Sequence, residues 1–536
     1  MGEMASRTVY RNPIIPGFAP DPSIVFVDGY FFLVTSSFHL FPALPIYVSK
    51  DLANWALIGN AINRKSQLDL ADASTDTFPL DTGFTMIGTS GLFAPTIRHH
   101  NGVFYLVCTN TTSTGLDFET TNFYITTTDI WSSAWSEPIY IDFHGIDPSF
   151  FFDDDDRVYL QGSWRLDRTR QPSCTIKQYE IDVRTGEALS ATREIWQGFA
   201  KYDSEGPHIY KKDGWYYLVI AEGGTFEHHM LSVARSRAIW GPYDSCEQNP
   251  IMTASGTNEY IQNIGHGELF QDGTGAWWAV VLGVRNHAGR YPLGRETFLT
   301  PVTWPKDGWP RVDQPRMLFE RHSLGGKNDA PIEPATEAEY VFIRSPVLED
   351  YQISSDGYTY HLRASQTDLS SRHGTTTFMG KRQRNLESST STVLHVDKAS
   401  RGKTLIAGLA LYKDPFRYAE IFFDYEVSSV GLRIHTSLDG GDVVVKSKPL
   451  GSRVEEIAFR VSATETAYEF SYQLHGSSSW NALGEIDSLD MTARDFTGTI
   501  IGLFATARGG LALDVVTFRG LVEAPNGVVV NTNWLH

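Results

Sequence analysis

Cysteine is nearly absent: Cys108, Cys174 and Cys246 are the only three in 536 residues. Odd in number and far apart, they argue against a disulfide framework and against a cysteine-built metal site. No stretch approaches the ~18 uncharged apolar residues that a membrane span requires, and the opening MGEMASRTVYRNPIIPG lacks the apolar segment of a secretion signal. A soluble chain is expected, with secretion (the signal absent from this chain) and a cytoplasmic location both left open. Basic residues are in short supply too. Lys and Arg number 45 against 63 Asp and Glu, for a net charge of −18 and a pI of about 5.3. Such a chain repels phosphate backbones, so neither nucleic acid nor a membrane is an expected partner. Helical periodicity sustained over three turns is also missing, which points away from helices.

Aromatic residues, by contrast, are plentiful: 13 Trp, 24 Tyr and 31 Phe. They favour strands and can stack on flat ligands. The length suggests two large domains. Five segments share one pattern: APDPSIVFVDGYFFLV, FAPTIRHHNGVFYLV, IDPSFFFDDDDRVYLQ, EGPHIYKKDGWYYLVI and GHGELFQDGTGAWWAVV. Each reads as a strand, a turn rich in Asp, Asn or Gly, and a second strand of aromatics and aliphatics, the form of a β-hairpin. The turns centre on Gly29, Gly102, Arg157, Gly214 and Gly275, so the units lie 73, 55, 57 and 61 residues apart. That period accommodates about four short strands each and predicts a five-bladed β-propeller over residues 1–324. Residues 325–339, GGKNDAPIEPATEAE, read as a linker. Beyond it, TLIAGLALY, YAEIFFDYEV, VGLRIHT and GTIIGLFATA predict a β-sandwich over 340–536. The fold class is all-β. The basic cluster MGKRQRN, residues 379–385, is expected on a solvated face or in cross-strand charge pairing, and the acidic FDDDDR, residues 152–157, in a solvated hairpin turn rather than on a metal.

Aligned on the first strand, the five units place Pro22, Pro95, Pro148, Pro207 and Gly267 in one column and Asp21, Ala94, Asp147, Gly206 and His266 in the column before it, with Glu205 one position further back. Proline restricts the residue preceding it to extended backbone, and an Asp there commonly caps a turn. Capping does not explain why acidic residues recur at equivalent positions, nor why one is a Glu. The first strands of propeller blades line a common axis, so three carboxylates would converge on one funnel. Cleaving a glycosidic bond uses such groups: an acid protonates the leaving oxygen and a second carboxylate acts from the opposite face of the sugar.

Asp21 in FAPDPS, Asp147 in GIDPSFFFDDD and Glu205 in SEGPHIYKKDGWYYL, together with FHLFPALPIYVSKDLANWALIG, GLFAPTIRHHNGVFYLV, GHGELF and PLGRET, resemble the family 43 glycoside hydrolases. RQRNLESSTSTV and AGLALYKD resemble the C-terminal, concanavalin-like sandwich of its β-xylosidase and α-L-arabinofuranosidase branch. The resemblance implies that Asp21 is the general base, Glu205 the general acid and Asp147 the group that orients Glu205 and tunes its pKa. It further implies that Arg295 contacts the sugar. His266 occupies the position where the family keeps an axial histidine, to hold a water or calcium ion or only to brace its neighbours. No metal ligand is assigned with certainty and no cofactor is expected to be required, with a structural calcium near His266 left open. Phe38, Phe41, Trp164 and Phe226 follow inner strands and are candidate walls for the sugar. Phe504, in GLFATARGG, resembles the region that reaches the pocket mouth, although ATARGG departs from the family pattern.

The expected function is an inverting, exo-acting hydrolase that releases α-L-arabinofuranosyl units, and also β-D-xylosyl units, from arabinoxylan or xylo-oligosaccharides. The insertion at residues 64–91 tilts the reading away from a pure xylosidase. The alternatives are a β-xylosidase and, from another class, a carbohydrate-binding protein without catalysis. The oligomeric state is not readable from the chain.

Overall fold

The computed structural model describes residues 7–79, 83–115, 117–167, 171–322, 331–355, 357–436, 444–451, 454–507 and 514–526. They form strands joined by turns and a few single-turn 3₁₀ helices. The chain divides into two compact units, one of Met1–Asp69, Ser90–Asn286 and Arg295–Glu339, the other of Leu70–Thr89, His287–Gly294 and Tyr340–His536.

The first unit holds five antiparallel sheets, met in chain order. Sheet one comprises Ser23–Val27, Tyr30–Val34, Ala43–Ser49 and Ala56–Ile62; sheet two, Gly91–His100, Val103–Ser113, Phe118–Thr127 and Ile139–Ile141; sheet three, Gly145–Phe152, Val158–Arg165, Cys174–Glu180 and Arg193–Trp196. Sheet four comprises Glu205–Lys212, Trp215–Glu222, Met230–Ser236 and Asp244–Ser245, with Met252–Thr253 added to its third strand; sheet five, Ile261–Gln271, Trp277–Arg285, Glu296–Thr303 and Arg311–Val312. Each begins with one of the five hairpins read from the sequence. In three of them the turn is a pair of left-handed residues, Asp28-Gly29, Asn101-Gly102 and Asp213-Gly214, the geometry that matches the twist of a two-residue hairpin. The acidic turn at Asp153–Arg157 is a hairpin turn as expected, but Asp153 is buried and accepts hydrogen bonds from Lys211 and from the Tyr216 hydroxyl.

Apolar side chains alternate along these strands and fill the spaces between successive sheets. Val107, Phe150 and Leu160 pack together between sheets two and three, Ile176, Ile209 and Leu218 between three and four, Val219, Leu269 and Val281 between four and five, and Phe31, Leu33, Trp278 and Val280 between five and one. Phe32 and Phe104 join sheets one and two, edge to face at 5.4 Å. A separate two-stranded ladder pairs Arg7–Arg11 with Leu318–His322, while the buried Asn12 side chain donates to Leu299 and Arg316 carbonyls. Residues 325–330 of the expected linker lie outside the described residues. The remainder lies along sheet one, where Ala335 N–H donates to the Leu57 carbonyl.

The second unit contains a seven-stranded and a six-stranded antiparallel sheet, with Ser388–His395 and Leu405–Asp414 as interior strands of each. Two segments assigned above to the first domain belong to it. Thr75–Pro79 and Thr85–Thr89, from the 64–91 insertion, form a hairpin that pairs with Arg494–Asp495. Gly294 packs so closely on Thr497 that a Cβ there would lie 2.3 Å from its carbonyl oxygen. Within MGKRQRN, Arg382 is buried in its strand rather than solvated.

Candidate active site

The column of residues read from the repeat is a column in space with one backbone conformation. Asp21, Ala94, Asp147, Gly206 and His266 have φ of 53°, 38°, 54°, 55° and 29°. Four of the five are not glycine, and each such residue costs on the order of 1 kcal/mol or more. The extended conformation expected before proline is therefore not what occurs. The reason lies in the ladder, which skips Ala94-Pro95, Asp147-Pro148, Gly206-Pro207 and His266 in sheets two to five. Each is a β-bulge, and a proline in it forfeits no ladder hydrogen bond.

Asp21 and Asp147 are both buried. Asp21 Oδ2 accepts from the Ser36 hydroxyl at 2.6 Å, and Ser36 Oγ in turn accepts from Ala94 N–H at 2.7 Å. Asp21 Oδ1 accepts from an Arg295 guanidinium nitrogen at 3.2 Å, and that nitrogen also donates to the Thr225 hydroxyl at 3.0 Å. Asp147 Oδ2 accepts from Gly206 N–H at 3.1 Å. His266 Nδ1 lies 3.9 Å from Asp21 Oδ1 and 3.8 Å from Asp147 Oδ2. Its ring occupies the space above Gly206, where a Cβ would lie 3.0 to 3.2 Å from ring atoms. Glu205, half-buried, opens the first strand of sheet four beside Gly206 and pairs with Ala221. The Ser204 carbonyl just before it accepts from Ser163 Oγ at 2.8 Å and from Cys174 Sγ at 3.3 Å.

The two aspartates are pushed in opposite directions. Burial drives Asp21 up, but Arg295, His266 and the Ser36 hydrogen bond outweigh it and leave its carboxyl below the ordinary value. Burial also drives Asp147 up, and the neighbouring Asp21 charge adds to this; His266 and the Gly206 N–H oppose it only in part, so it stands at about 6. A carboxyl held below its ordinary value thus sits near one that stands at about 6, an arrangement that separates a base from a proton-regulating group.

The structure brings together Asp21, Asp147, Arg295 and His266, and sets Glu205 next to Gly206. Phe38, itself left-handed, packs with Arg295 5.3 Å above its ring. Trp164 is part-exposed on sheet three, edge-on to Phe143 and His144. Phe226 is part-exposed in the turn next to Thr225. Phe41 and Phe504 are buried, as Phe38 is, at 2%, 0% and 2% exposed, and of the three it is Phe38 whose ring is seen against Arg295. Phe504 lies within the Ile500–Ala507 strand, between Phe378 and Gly408; the following residues 508–513 lie outside the described residues. Sequence reasoning missed Ser36 and Thr225, whose hydroxyls carry no motif.

Of the carboxylate oxygens nearest His266 Nδ1, Asp21 Oδ1 accepts from Arg295 and Asp147 Oδ2 from Gly206 N–H. A second guanidinium of the unit, Arg98, contacts Glu268 at 2.5 Å and donates to the Phe150 carbonyl and towards His208 Nδ1. Glu268 in turn accepts from Ser23 Oγ and Ile24 N–H. Among the described residues no three His, Cys, Asp or Glu side chains gather as a metal-ligand set.

A family profile described as glycosyl hydrolases family 43 matches residues 10–310, more than half of the chain. The chain belongs to glycosyl hydrolases family 43. A second profile, the β-xylosidase C-terminal concanavalin A-like domain, matches residues 333–519. As a family 43 member the protein is a glycosidase, all-β and related to the family's propeller-and-sandwich architecture. It is 32% identical over 525 residues to a non-reducing end α-L-arabinofuranosidase of Bacteroides ovatus, across 94% of this chain and 93% of that one. It is 42% identical over 315 residues to a xylosidase/arabinosidase of Butyrivibrio fibrisolvens, across 57% of this chain and 56% of the other. Among solved structures it is similar to a xylan β-1,4-xylosidase of Bacillus halodurans, with a TM-score of 0.84 at 28% identity, covering 95% of this chain and 99% of that one. No helix among the described residues of this family 43 enzyme is long and apolar enough to cross a membrane.

Proposed function

We propose that the first unit is a five-bladed propeller with an exo-acting, inverting glycosidase site at the bulged ends of its first strands. The substrate is a terminal α-L-arabinofuranosyl unit, with β-D-xylosyl as a second, on arabinoxylan or xylo-oligosaccharides. The propeller reading is supported by the packing of each sheet on the next and of sheet five on sheet one. The arabinofuranosyl preference is supported by the name of the Bacteroides relative, matched over nearly all of both chains.

The observation that carries the mechanism is the shared set of contacts: Asp21 and Asp147 flank one imidazole, and Asp147 is hydrogen-bonded to the residue after Glu205. Asp21, held ionised by Arg295, takes a proton from water as the water oxygen attacks the anomeric carbon. Glu205 gives its proton to the glycosidic oxygen as that bond breaks. Asp147, once ionised, keeps Glu205 protonated by like-charge repulsion and fixes the backbone that carries it. Arg295, stacked on Phe38, offers fixed donors to sugar hydroxyls. Glu205 gives the one proton the leaving oxygen needs and Asp21 takes the one the water releases, so the proposal routes no step through a cofactor.

Replacing Glu205 with Ala tests it. Turnover of an oligosaccharide should fall by ~10³-fold, and that of a glycosyl fluoride, which needs little protonation, by far less. Equal turnover of the oligosaccharide by variant and wild type would refute the acid assignment. Proton NMR of the first-formed sugar should show inverted anomeric configuration, and retention would remove Asp21 as a base.

A further inference from the structure

The loop that leads into Glu205 holds two large rings out in solvent. Phe199 is 45% exposed and Tyr202 43%. Exposed aromatics are ordinary where a loop is loose, but this one is built. Glu222, fully buried on the second strand of sheet four, accepts from three successive backbone N–H groups: Phe199 at 2.9 Å, Ala200 at 2.9 Å and Lys201 at 3.0 Å. Ser204 Oγ lies 3.4 Å from the same carboxylate. Gly198 passes so close that a Cβ would lie 2.2 Å from Glu222 Oε1. Lys201 and Asp203 are left-handed, with φ of 53° and 45°, a strain that persists only where the surroundings over-determine it. From the other side Asp203 Oδ1 accepts from Ser173 Oγ at 2.5 Å and from Gln171 Nε2 at 3.2 Å. Burying a carboxylate is costly, and here it serves to hold a loop whose rings contribute little to any core.

The loop's position states what the rings are for. Ser204 and Glu205 follow Tyr202 and Asp203 directly. The Tyr202 carbonyl accepts from Gly223 N–H at 2.8 Å, two residues before Thr225, whose hydroxyl holds the Arg295 nitrogen that reaches Asp21. We propose that residues 199–203 form the leaving-group subsite, with Phe199 and Tyr202 as the platform for the sugar that remains on the chain. This rests on Glu205 being the acid: the group that protonates the departing oxygen lies on the departing sugar's side, and sugar C–H faces pack on aromatic rings.

The test is a ratio: kcat/KM for an oligosaccharide divided by kcat/KM for the glycosyl fluoride of the same terminal sugar, which has no leaving sugar to bind. In Phe199→Ala and Tyr202→Ala the ratio should fall ~10-fold each, and ~100-fold in the double variant, as expected for ~1.4 kcal/mol per ring. Phe199→Trp and Tyr202→Phe, which keep a ring, should hold it within about threefold of wild type. A ratio unchanged in the double variant, or equal losses on both substrates, overturns the subsite and leaves the acid assignment standing. Undiminished oligosaccharide turnover in Glu205→Ala removes both.

Discussion

Both units bury charge, but they balance it differently. In the second unit Lys413, Arg417, Asp414 and Asp495 form a closed set of two cations and two anions: Lys413 Nζ lies 3.0 Å and an Arg417 nitrogen 2.7 Å from Asp495 Oδ2, and Arg417 also pairs with Asp414. Burial there pulls the Lys413 ammonium down to about 8, and each charge has an opposite. In the first unit Asp21 and Asp147 crowd one imidazole, and Arg295 contacts Asp21, so that the Asp147 charge is compensated only in part. A closed set of opposite charges makes a strut, whereas Asp147, only partly compensated and beside the Asp21 charge, stands near 6 and can exchange a proton.

Asp21→Asn should have the largest effect. It removes the proposed base, so kcat should fall ~10³-fold or more, and because Arg295 and His266 hold the Asp21 carboxyl below its ordinary value, the variant should also lose some stability near neutral pH while remaining folded. A variant that unfolds instead would make Asp21 a strut and erase the contrast. Asp495→Ala is its mirror. Breaking a buried, paired charge should cost ~3–5 kcal/mol in denaturant unfolding, with kcat/KM of the folded protein within about twofold of wild type. A large loss of activity without loss of stability would move that cluster into the chemistry. Asp147→Asn should lower kcat ~10²-fold and shift the alkaline limb of the pH–rate profile to lower pH, because Glu205 loses the negative neighbour that keeps it protonated. For stability the sign is opposite to that of an ordinary carboxylate. A folded pKa raised to about 6 means that Asp147 stabilises the fold below its unfolded value of 3.8, and this is lost as pH rises through about 6. In Asp147→Asn that loss between pH 4 and 6 should vanish from the unfolding curves. Gly206→Ala should have the smallest effect, ~1–2 kcal/mol, from a left-handed backbone and a methyl against His266.

The repeat made the column Asp21, Ala94, Asp147, Gly206 and His266 legible, because hairpins with Asp, Asn and Gly turns carry their signal in adjacent residues. The bulge was not legible. The local preference before proline is extended backbone, and only neighbouring strands force these residues left-handed. The aromatic walls divided for a related reason: Phe38 and Phe41 are three residues apart in similar company, and the packing of Phe38 beside Arg295, from sheet five, is what separates them. Glu222 and Glu268 sit inside strands that read as plain hairpins. An inward carboxylate and an outward one look alike until the opposite sheet is known.

The sequence by itself determined the strands, their turns, the grouping into five units and a sandwich, and which acidic residues stand at equivalent places, since all of these depend on alternation and turn chemistry within a few tens of residues. Tertiary structure alone decided which carboxylates share a neighbour, which one is held ionised and which stands near 6, and that residues 70–89 of the 64–91 insertion belong with the second unit. Those outcomes depend on Arg295, His266, Ser36 and Arg494–Asp495. They come from other strands or loops, and a Coulomb interaction or a sheet pairing is set by distance in space, which the order of residues does not encode.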